Sequence, residues 1–98
     1  RAGRYGDLHY EQTALALGDL LRSEKDYAGA AAAYELVQQV PQADPDVLQK
    51  ANLGAGEMYD QMQKRDQALA KYQAVIAANS TSPPADAARR HVKEAYRE

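Results

Sequence analysis

The chain has 98 residues, 45% of them hydrophobic and 27% charged, with a net charge of −2. That is enough for one small domain with its own core, and the balance excludes a disordered polyelectrolyte. No basic excess or stripe favours nucleic acid, and without cysteine there is no thiol nucleophile, disulfide or cysteine-ligated zinc.

No apolar run approaches the roughly 20 residues that cross a bilayer, so no membrane insertion is expected. No signal peptide is visible. Arg1 stands where a methionine would begin a complete chain, which points to an excised domain or a processed product. The compartment, cytoplasmic or periplasmic, stays open.

Alanine, leucine, glutamine, lysine and glutamate dominate and are good helix formers. Gly6 and Asp7 offer a start for a first helix whose apolar pattern runs through Leu8, Ala14, Leu15, Leu17, Leu20 and Leu21. "RSEKD" loses the pattern and predicts a turn. A second helix is expected from Tyr27 to before Pro41. Asp44 as N-cap with Pro45 at the first helical position opens a third, to about Gln63. "QKRD" predicts a second turn, with Asp66 a candidate cap for a fourth helix to about Ala78. Ser82 and Pro83 repeat the start signal for a fifth, over 83 to about 97. The prediction is an all-α domain of about five helices with no strand.

The chain matches itself at a shift of 38 positions: Gly18 falls on Gly56, Ala30 on Ala68, Tyr34 on Tyr72 and Val37 on Val75. A fixed period of this size marks stacked helical hairpins. Glycine inside a helix costs about 1 kcal/mol against alanine, so Gly18 and Gly56 need a reason. The spacing predicts that they and the small Ala30 and Ala68 let helices approach closely. Tyr34 and Tyr72 are then expected to fill the wider gap one turn along.

These positions resemble the tetratricopeptide repeat. Its motif has a small residue at its eighth position, an aromatic at the eleventh, alanine at the twentieth and an aromatic at the twenty-fourth. Gly56, Tyr59, Ala68 and Tyr72 match all four. In the first copy Gly18, Ala30 and Tyr34 match, with Leu21 in place of the eleventh-position aromatic. The period of 38 exceeds the family's 34, which predicts a first helix longer by one turn in each pair. The resemblance implies a right-handed stack of antiparallel helix hairpins. Repeat 1 would cover about residues 7–42, repeat 2 about 44–80, and a capping helix about 83–97.

By the same resemblance the first helices line a concave groove for a peptide or partner helix. Its positions here are Gln12, Leu15, Asp19 and Arg22, then Lys50, Leu53, Glu57, Asp60 and Gln61. Leu15 and Leu53 are apolar members of an otherwise polar face. Relatives that grip a C-terminal carboxylate use lysine and asparagine there. Asp19 and Glu57 would repel one, so the expected partner is apolar with some positive charge, and Glu57→Lys is expected to weaken binding without unfolding the domain. The alternative is a structural role, as a homodimer or a spacer in a larger protein, such as the bacterial envelope assembly factors that carry lengthened repeats.

Catalysis is not expected, nor a metal or cofactor. His9 lies between Asp7 and Glu11, two residues from each, on diverging helix faces. His91 and Glu94 are close enough to touch but lack a nucleophile or third ligand. Asp86, Arg90 and Glu94 form a ladder that predicts a solvated face. Of the seven tyrosines, Tyr34, Tyr59 and Tyr72 are expected in the core. Tyr5, Tyr10 and Tyr96 are left to an interface or to solvent.

Overall fold

A computed structural model describes residues 10–98. The expectations for Tyr5, Asp7, Leu8 and His9 lie outside that range. The fold is all-α, with no strand among the described residues. Its helices are α1 (Tyr10–Ser23), α2 (Tyr27–Val37), α3 (Pro45–Gln61), α4 (Arg65–Ala78) and α5 (Pro83–Lys93).

The start signals work as their chemistry requires. Asp44 accepts the Asp46 N–H at 2.9 Å, and Ser82 accepts the Ala85 N–H at 3.2 Å, each just before a proline whose missing N–H would have had no helical partner. Asp26 caps α2 through the Gly29 N–H. Asp66 does not cap α4: the helix already begins at Arg65, so Asp66 lies in its first turn, and Lys64 holds the cap position without a side-chain hydrogen bond.

The period of 38 recurs in the backbone. After α1 the Asp26 N–H reaches the Leu21 carbonyl at 2.9 Å, with Lys25 at φ 66°. After α3 the Lys64 N–H reaches the Tyr59 carbonyl at 2.8 Å, with Gln63 at φ 61°. Both are helix ends closed by one left-handed residue, the geometry that turns a chain sharply back on itself. Hairpins α1–α2 and α3–α4 therefore pack in succession, and α5 closes the second.

Two clusters form the core. Ala14, Ala30, Tyr34, Val37, Ala51 and Met58 belong to the first, while Ala68, Tyr72, Val75, Ala85 and Ala88 make the second. Tyr59 packs against both. Most of these side chains are alanines, so the helices sit close and the two fully buried tyrosines supply much of the bulk.

Here the glycines differ from expectation. They do not admit a neighbouring helix backbone; they admit tyrosine rings. A Cβ on Gly18 would fall 2.5 Å from the Tyr34 ring, and one on Gly56 would fall 2.6 Å from the Tyr72 ring. Gly54, which has no counterpart one period earlier, meets the opposite edge of Tyr34 at 2.7 Å. Tyr34 is thus wedged between α1 and α3.

One face of the stack stays apolar. Tyr10, Leu17 and Leu20 are 56%, 44% and 55% exposed. One period later their places are taken by Leu48, Ala55 and Met58, which pack into the first core cluster.

Because its ring is confined on both edges, Tyr34 has no room to retreat from an added methyl. Gly54→Ala is expected to lose about 1–2 kcal/mol of stability in urea unfolding, since overpacking outweighs the gain of about 1 kcal/mol in helix propensity.

Candidate functional site

The nine groove positions do not behave as one surface. Gln12 and Lys50 are exposed, at the far end from the hairpin turns. Leu15 and Leu53 are half-buried, packed against the first and second core clusters respectively. Asp19 accepts the Tyr34 hydroxyl at 2.6 Å. Arg22, Glu57, Asp60 and Gln61 are brought together where the ends of α1, α3 and α5 meet.

Glu57 is only 7% exposed. One carboxylate oxygen is ion-paired with Arg22, and the other lies 3.0 Å from His91 Nε2. It is therefore committed within the fold. The His91 ring stacks at a tilt on Tyr72 and edge-on to Tyr96, with centroids 5.3 and 5.1 Å apart. His91 thus pairs with Glu57 from α3, not with Glu94. The expected ladder on α5 also changes: Asp86 pairs with Arg89 at 2.8 Å, and Glu94 lies beyond the helix end.

Asp60 is more deeply engaged. Its side chain is 1% exposed and accepts the Tyr72 hydroxyl at 2.6 Å, Arg65 Nη1 at 3.0 and 3.1 Å, and the Tyr96 N–H at 3.0 Å. Arg65 spans onward, donating through Nη2 to the carbonyls of His91 and Val92 at 2.7 and 2.9 Å. That contact overrides local propensity. "EAYR" over 94–97 would extend α5, as the sequence predicts to about residue 97. The helix instead stops at Lys93 and Glu94 turns extended.

Residues 94–98 then cross the ends of α1 and α3. The Glu98 N–H donates to Gln61 Oε1 at 3.1 Å. The Tyr96 ring lies between His91 and the Arg22 guanidinium, whose carbon is 5.3 Å from the ring centroid. The Glu98 side-chain carboxylate receives Arg22 Nε at 3.3 Å, Lys25 Nζ at 3.4 Å and the Tyr27 hydroxyl at 3.1 Å. A carboxylate was not expected on this face. It is accommodated because Glu57 is already balanced by Arg22, leaving Arg22 Nε and Lys25 to set the local field.

Burial and a carboxylate partner push the hydroxyls of Tyr34 and Tyr72 far above the ordinary tyrosine range. Burial, reinforced by the hydrogen bond to Glu35, pushes Tyr59 up to about 12. Burial works against the Arg22 charge, but Glu57 and the tyrosine hydroxyls more than offset it. Burial also works against the Glu98 carboxylate, yet the donors from Tyr27, Lys25 and Arg22 lower its pKa on balance.

Among the described residues no cluster of three histidine or acidic side chains could hold a metal ion, and no helix is long and apolar enough to cross a membrane. No known protein family, curated protein or solved structure matches the chain.

The pairing of Glu57 changes what its replacement should do. Glu57→Lys would set a second cation against Arg22 and remove the acceptor facing His91. It is expected to cost roughly 3 kcal/mol and lower the thermal midpoint by more than about 10 °C, whereas Lys50→Ala, on the exposed part of the same helix, should leave the midpoint unchanged in calorimetry.

Proposed function

We propose that the domain is a non-catalytic interaction module that receives a polypeptide segment where α1, α3 and α5 converge. The observation that carries this reading is the arrangement of acceptors at Asp60 and Gln61. They take backbone N–H groups from alternate residues of the non-helical segment after α5, and Arg22 and Lys25 stand beside them for side-chain chemistry. Main-chain acceptors give affinity without sequence; the flanking ring and cations select. The tetratricopeptide-like pattern of Gly56, Tyr59, Ala68 and Tyr72 supports the same reading, because that architecture presents its first helices to a ligand.

Glu57 is occupied by Arg22 and His91, so it does not attract a cation. Arg22 and Lys25 favour an acidic side chain instead.

A panned peptide library tests the site. Selected peptides are expected to lose tenfold or more in affinity on Lys25→Glu, a position whose side chain is 68% exposed, with the circular dichroism unchanged. Peptides that bind Lys25→Glu as well as the parent would remove this face from the reading.

A second reading, assembly, is favoured by the apolar face of α1. A shallow groove of about 360 Å³ lies there, lined by Tyr10, Thr13, Leu17, Leu36, Val40 and Pro41 among others. Tyr10, Thr13 and Leu17 hold the register that Leu48, Ala51 and Ala55 of α3 pack into the first core cluster one period later, a pattern suited to packing against helices. Self-association predicts a concentration-dependent dimer in sedimentation velocity that Leu17→Glu dissociates. A monomer at every concentration would rule out a dimer through this face.

A further inference from the structure

The tail that crosses the site has a ready alternative conformation, and this makes the contact a switch. In a continued α5 the N–H groups of Ala95 and Tyr96 would bond the carbonyls of His91 and Val92. Those two carbonyls are held by Arg65, and the Tyr96 N–H is held by Asp60. Glu94, Ala95 and Arg97 include good helix formers. The sequence of the tail therefore favours helix, and its observed extended form is maintained by the site.

The site's contacts with the tail are specific in three respects. Backbone N–H groups two residues apart, at Tyr96 and Glu98, meet Asp60 and Gln61, the spacing of an extended chain whose successive residues point to opposite sides. An aromatic ring fills the space between Arg22 and His91, and its hydroxyl accepts Arg22 Nη2 at 2.7 Å. A carboxylate two residues on meets Arg22, Lys25 and Tyr27. The three donors of the last contact all meet the Glu98 side-chain carboxylate.

We infer that residues 94–98 are an internal ligand of this face, and that its external partner is an extended segment carrying an aromatic residue two positions before an acidic one. The inference rests on the interaction-module reading and names the chemistry of its partner. The tail must leave for the partner to bind, and it leaves by rejoining α5. Asp60 keeps Arg65 and Tyr72 when it does, so the exchange does not strand a buried carboxylate. Tethering gives the tail a high effective concentration. A face free only one time in ten or less weakens the apparent affinity for a partner about tenfold or more.

The test uses a fluorescein-labelled peptide of sequence EAYRE, with EAARE as its control, and fluorescence anisotropy on the full chain. A Tyr96→Ala, Glu98→Ala double variant keeps the tail but removes its ring and carboxylate. This variant is expected to bind EAYRE at least tenfold more tightly than the parent and to ignore EAARE. Equal affinity for parent and variant would overturn internal competition while leaving the face itself as a binding site. Failure of EAYRE to bind either protein would overturn the proposed chemistry, and the Lys25-dependence of library peptides would then decide the broader reading separately. A measurement on the unaltered chain guards against a variant that misfolds. Saturating peptide is expected to move the ¹³Cα shifts of Ala95 and Tyr96 toward helical values, and shifts that stay extended at saturation would overturn displacement of the tail.

Discussion

The Asp60 carboxylate is the point on which the arrangement turns. A charge with a 1% exposed side chain is tolerable only if its oxygens are filled by donors. Two of the donors that fill them, Arg65 and Tyr72, come from α4, and the third comes from the segment after α5. The Tyr72 hydroxyl ties α3 to its own hairpin partner. Arg65 ties the start of α4 to the end of α5. The Tyr96 amide ties in the tail. Satisfying one buried acid thus fixes the relative positions of three helices, and the convergence of α3 and α5 at this face is a by-product of that requirement.

The core explains why such polar ties matter. Alanines bury little area each, and at about 25 cal/mol per Å² a core built largely of them supplies a modest driving force. Tyr34 and Tyr72 add area, but only because Gly18, Gly54 and Gly56 make room for their rings. A ring seated on a backbone is located more tightly than one among flexible side chains. Each hydroxyl then lands within 2.6 Å of an aspartate, Asp19 for Tyr34 and Asp60 for Tyr72. The two repeats use the same ring and different acids, since one period after Asp19 comes Glu57, which is held by Arg22 and His91. The repeat conserves the packing and lets the polar network differ, and the site arises in that difference.

Much of the fold was legible in the sequence because it is written locally. Asp44 with Pro45 and Ser82 with Pro83 fix helix starts through bonds spanning two or three residues. The shift of 38 located both hairpins, and the matching turns at Lys25 and Gln63 follow it. What escaped was tertiary. Arg65 acting on carbonyls 26 and 27 residues away leaves no periodic trace, so the end of α5 was placed some four residues late. Gly54 has no counterpart one period earlier and was invisible to self-comparison. Of the groove positions, Arg22, Glu57, Asp60 and Gln61 do converge, but a helical face cannot reveal that Glu57 is spoken for. His91 and Tyr96 complete the site from outside the two repeats. The nearest signal was compositional: an aromatic and an acid, two residues apart, following a helix.

Division of labour within the face follows from burial. Glu57 and Asp60 are sequestered, and within the helices they are satisfied by Arg22 and His91, and by Arg65 and Tyr72. Gln61, Lys25 and the outer edge of Arg22 are reachable from solvent, and their contacts with the tail are longer, at 3.1, 3.4 and 3.3 Å. Bonds of that length near the surface, neutral or charge-assisted, are weak individually. The Arg22–Tyr96 hydroxyl bond at 2.7 Å and the Tyr96 N–H to Asp60 at 3.0 Å are the firmer ties to residues 94–98, and the Glu98 contacts are the weaker ones. A face organised this way is already preorganised when the occupant departs, because the ordering of Arg22 by Glu57 was completed on folding. An incoming segment would meet oriented donors and acceptors and would need to order little besides itself.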